Sequence, residues 1–106
     1  MRILFDQGTP LPLRKSLVGH QVSTAFEMGW ALLRNGELLR EAENLFDLII
    51  TTDQSLRYQQ NLASRRLAIL VLMTTNWRRI RPRAAQVVME VNRIKPGDYI
   101  EIAFEP

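Results

Sequence analysis

The stretch LAILVLM, residues 67–73, constrains the fold most strongly. It is far too short to cross a bilayer, which takes about 20 apolar residues. It has no polar positions to turn towards water. A run of this kind reads as a strand buried on both faces, and such strands belong to sheets covered on both sides. A second run, FDLIITT at 46–52, reads as another central strand, and RILF at 2–5 as a short buried one.

Between these runs the pattern is helical. Thr9-Pro10 predicts an N-cap followed by Pro at the first helical position, with a helix to about Leu17 and a stop at Gly19. HQVST (20–24) predicts a short strand, and AFEMGW after it a turn or short helix. Asn35 is expected to cap a helix that places Leu38, Leu39 and Ala42 on one face. Residues 54–66 predict an amphipathic helix with Leu56 and Leu62 inward. Pro82 stands near the start of a further helix, carrying Ala85, Val88, Met89 and Val91 to about Ile94. YIEIAF (99–104) alternates as an edge strand, with Ile100, Ile102 and Phe104 facing one way. The order predicts one α/β domain over 1–106, a three-layer sandwich with a central, mostly parallel sheet of about five strands and helices on both faces.

In such sheets ligands bind outside the carboxyl ends of the strands, where the strand order reverses. Asp6 follows the first strand, Asp53 the third, and Asn76 comes shortly after the fourth. With the order 2-1-3-4-5, Asp6 and Asp53 face each other across the reversal. Two facing carboxylates repel unless a proton or a cation lies between them. Mg²⁺ accepts one or two carboxylates plus waters, and a hard metal there can activate water for phosphodiester hydrolysis. Taken singly, Asp53 also suits a plain helix cap.

RILFDQGTPLPL, GHQVSTAFEMGW, NGELLREAE and LIITTDQSL, in this order and spacing, resemble the PIN-like domain family of small stand-alone bacterial proteins. The resemblance implies a PIN-like fold, a Mg²⁺- or Mn²⁺-dependent ribonuclease activity, and a toxin paired with an antitoxin protein. Asp6 matches the family's first acid and Asp53 the Asp of its Thr-x-Asp motif. Asn35 stands where an acid usually opens the helix, and Ser55-Leu56 where Asp-Phe would be. In the catalytic reading Asp6 and Asp53 hold the metal, and Glu37 or Asn35 orients a water. A first-turn Glu37 also suits the helix dipole alone. With two acids retained and two missing, the expected turnover is slow or absent. A non-catalytic module of the same fold, binding nucleic acid or a partner protein, is the second expectation.

NWRRIRPR (76–83) crowds Arg78, Arg79, Arg81 and Arg83 at an expected helix start, the wrong sign for the helix dipole. RNA phosphates there would relieve the conflict, and Trp77 could stack on a base. The alternative is a solvated loop with Trp77 packed inward. The net charge of +3, carried by arginine far more than lysine, agrees weakly with an anionic partner. The absence of cysteine excludes disulfides and thiolate metal sites, and the single His20 has no partner for zinc. No signal peptide is visible, so a cytoplasmic protein without membrane contact is expected. The half-apolar last strand predicts a homodimer or a docked partner. A phospho-acceptor receiver domain is a third, weaker reading. Asp6, Asp53, Thr74 or Thr75, and Lys95-Pro96 imitate its residues, but only one acid follows the first strand and Lys95 precedes the last one.

Overall fold

Leu4, Ile49, Ile69 and Val71 pack into one apolar cluster, whereas Ile3, Phe5, Leu48, Ile50, Ala68, Leu70 and Leu72 pack into another. Successive strand residues point to opposite sides, so a continuous apolar run feeds two cores at once. The computed structural model describes residues 1–56 and 65–104. Its strands are β1 (Arg2–Phe5), β2 (Gln21–Thr24), β3 (Leu48–Thr51), β4 (Ala68–Leu72) and β5 (Tyr99–Ile102). They form one sheet in the order β2-β1-β3-β4-β5, parallel at every pairing. β4, read from LAILVLM, is buried at all five positions.

Helix α1 (Asn35–Leu45) lays Leu38, Leu39 and Ala42 on the first cluster, joined by Phe46 and Leu56. The other cluster is covered by Leu13 and Leu17 from the region of a 3₁₀ helix (Leu11–Ser16), by Ile80 from α2 (Trp77–Ile80), and by Val87 and Val91 from α3 (Ala84–Arg93). The α/β architecture with a parallel sheet is thus as the sequence predicts. Among the described residues no helix is long and apolar enough to cross a membrane.

Three local expectations need correction. Thr9 does not cap the first helix: its buried hydroxyl donates to the Ile50 carbonyl at 2.7 Å, which leaves the Pro10 N-cap without a side-chain acceptor. That helix is 3₁₀ throughout. Asn35 is the first helical residue rather than the cap, a place taken by Arg34. Pro82 stands just before the last helix, as expected, but its turn is 3₁₀, and the face that the helix turns inward is not the expected one. This short 3₁₀ turn (Arg81–Arg83) separates α2 from α3. The inward face of α3 differs from the expected one: Val87 and Val91 are buried and Val88 partly so, while Ala85 and Met89 are exposed. Of the helix expected over 54–66, only the beginning, to Leu56, lies within the described residues, and Leu62 lies outside them.

Candidate functional site: the carboxyl rim of the sheet

β1 and β3 are neighbours, with Phe5 opposite Ile50. The next residue on each strand therefore sits on the same rim, and Asp6 continues the ladder by donating its N–H to the Ile50 carbonyl at 3.0 Å. Thr51, only 1 % exposed, links the two strand ends. Its hydroxyl donates to Asp6 Oδ2 at 2.7 Å and accepts the Asp53 N–H at 3.1 Å. The Thr51 hydroxyl thus spends its one proton on Asp6 and an acceptor lone pair on Asp53. The loop after β1 lies close against β3. A Cβ on Gly8 would collide with the Thr52 hydroxyl oxygen, so no side chain fits there without displacing Thr52.

Each carboxylate is held by neutral donors. Asp6 Oδ1 accepts the Gln7 N–H at 2.6 Å. Asp53 Oδ2 accepts the Asn35 side-chain amide at 2.6 Å, and Asp53 Oδ1 accepts both the N–H and the hydroxyl of Ser55 at 3.0 and 2.8 Å. Burial pushes the Asp53 carboxyl upward, but the Asn35 amide and the two Ser55 donors outweigh it and hold the group below the ordinary carboxylate range. Neither Asp6 nor Asp53 is paired with a cation among the described residues. A carboxylate offers about four lone-pair sites, so Asp6 keeps acceptor capacity after these bonds.

Asp6, Asp53 and Asn35 are thus brought together. Glu37 is turned to the start of α1, where its Oε1 accepts the Arg34 N–H at 3.3 Å. No cluster of three or more Asp, Glu, His or Cys forms a metal position among the described residues. Asp6 and Asp53 could offer a hard cation at most two carboxylates, with waters making up the rest, the lower end of what Mg²⁺ uses.

Further along the rim, Asn76 caps α2 by accepting the Arg78 N–H at 3.0 Å. Arg78, Arg79, Arg81 and Arg83 are exposed. Trp77 is half-buried and packed on the core beneath α2. Lys95 lies at the other end of the sheet, before β5, in a cleft with Met1, Asp47 and Ala68, and so does not share a rim with Asp53.

Sequence reasoning missed the aromatic that this rim does expose, Phe26, which is 77 % accessible. It stands in a turn that Thr24 and Glu27 close reciprocally. Glu27 N–H donates to the Thr24 hydroxyl at 3.0 Å, and Thr24 N–H donates to Glu27 Oε1 at 2.9 Å. The spacing Thr-x-x-Glu carried that signal. Arg14 bonds the same carboxylate and, with Thr24, holds it below its usual range. The chain matches no protein-family profile, no curated protein and no solved structure.

Proposed function

We propose that this chain is a PIN-like module of toxin–antitoxin type that engages single-stranded RNA on its carboxyl rim and cleaves it slowly or not at all. The observation that carries the reading is that Asp6 and Asp53 follow neighbouring strands at the strand-order reversal and are linked through Thr51, whose hydroxyl bonds the Asp6 carboxylate and the Asp53 N–H. Parallel α/β sheets place their ligands at this point. Asp6 and Asp53 would hold one weakly bound Mg²⁺ or Mn²⁺, which when bound supplies Lewis acidity and a more acidic water. Thr51 fixes the two strand ends, and Asn35 orients Asp53. The exposed arginines 78, 79 and 81 would take phosphates, because guanidinium matches phosphate oxygens.

Binding without efficient cleavage is favoured by a specific contact. Where the family's acid would stand, the Asn35 amide donates to Asp53, so that carboxylate is satisfied without metal. Manganese titration followed by paramagnetic broadening tests the site. Broadening of the rim resonances in wild type, lost in Asp6→Asn, is the expected result. Equal broadening in both proteins removes the metal site. A cognate antitoxin or a second copy of the chain would dock on β5, an edge of the sheet.

A further inference from the structure

A cavity of about 610 Å³ opens beside Asp6, lined by Asp6, Gln7, Leu11, Ala25, Phe26 and Glu27 among others. Its size falls within the roughly 300–1,000 Å³ of ordinary ligand pockets. Two of its walls are large apolar side chains left in solvent, Leu11 at 55 % and Phe26 at 77 % exposure. The segments that carry them are tied together. The Phe26 turn is closed by the Thr24–Glu27 pair, and Glu27 is tied to Arg14 on the 3₁₀ helix that carries Leu11. That ion pair balances the Glu27 charge, whereas Asp6 has no cation beside it among the described residues.

We infer that this cavity is a nucleobase pocket, in which Phe26 stacks on an unpaired base of RNA and Asp6 accepts the base's N–H edge. The inference rests on the RNA-directed reading above and adds where and how a base is read. The exposed arginines after β4 supply a place for the phosphates. From β2 to β4 is three strand spacings of about 4.8 Å, or about 14 Å, a span of a few nucleotides along one rim. An aromatic face accepts any base. Selectivity comes from Asp6 in the metal-free protein, where each carboxylate oxygen keeps a lone pair beyond its bond from Gln7 or Thr51 and the two suit adjacent N–H donors. Guanine offers those on its Watson–Crick edge, whereas uracil offers one.

The test is fluorescence anisotropy with a labelled oligouridylate and the same oligomer carrying one guanosine, at several salt concentrations. Wild type should bind the guanosine oligomer more tightly. Phe26→Ala should weaken both about 5- to 150-fold, the range of one base–aromatic stack, with the salt slope unchanged because no phosphate contact is lost. Phe26→Trp should restore binding and Phe26→Leu should not, which separates stacking from mere apolar contact. Asp6→Asn should abolish the preference for guanosine. Binding by wild type that is indifferent to Phe26→Ala overturns the base pocket while leaving RNA as the ligand. Failure of wild type to bind either oligomer overturns both readings.

Discussion

Replacing Asn35 with Asp would exchange an amide donor for a like charge against Asp53. We expect Asn35→Asp to cost about 1–3 kcal/mol, the scale of a lost and unsatisfied polar contact. Mn²⁺ should recover part of it by lying between the carboxylates. Thermal unfolding with and without MnCl₂ checks both statements. The Asp53 carboxyl is depressed, so its contribution to stability is complete above the unfolded value of about 3.9. It disappears as pH falls through the lower folded value. Denaturant midpoints measured down the acid limb should therefore be flatter in Asp53→Asn than in wild type. Asp6 and Asp53 were legible in the sequence because each directly follows an apolar run. The Thr51 bridge and the Asn35 clasp were not, since they depend on strand register and side-chain rotamers that spacing alone leaves open.

Periodicity identified α1 well, because its apolar spacing is unbroken and Leu38, Leu39 and Ala42 all face the sheet. It failed over α3. Two apolar stripes compete in that helix, and the one that meets the core is Ala84, Val87, Val88 and Val91 rather than the one through Ala85 and Met89. The two stripes predict different variants. Val87→Ala should cost about 2 kcal/mol, for two buried methyl groups and the cavity they leave. Met89→Gln, at an exposed position, should change stability by less than about 0.5 kcal/mol. Urea unfolding of the two proteins decides between them. The exposed aromatic was missed for a related reason. AFEMGW has no period, and its one signal in the sequence was the Thr-x-x-Glu spacing of Thr24 and Glu27 that closes the turn bearing the exposed Phe26.

The Cα radius of gyration is 12.6 Å, close to the roughly 13 Å of a single domain of this length. Both sheet edges, β2 and β5, are strands whose partners lie on one side only among the described residues. Edge strands pair readily, so we expect association through β5, and sedimentation that reads only monomer at high concentration would decide against it. The position of β1 has a consequence for the newborn chain. β1 leaves the ribosome before the other strands, yet it belongs in the middle of the sheet, and one of its two neighbours, β3, ends at Thr51. At roughly 5–20 residues per second of synthesis, its apolar residues wait several seconds for that neighbour. Parallel pairings at such sequence separation also close slowly. The rim carboxylates therefore meet late, and a half-made chain carries an unpaired, sticky strand before it can carry any activity.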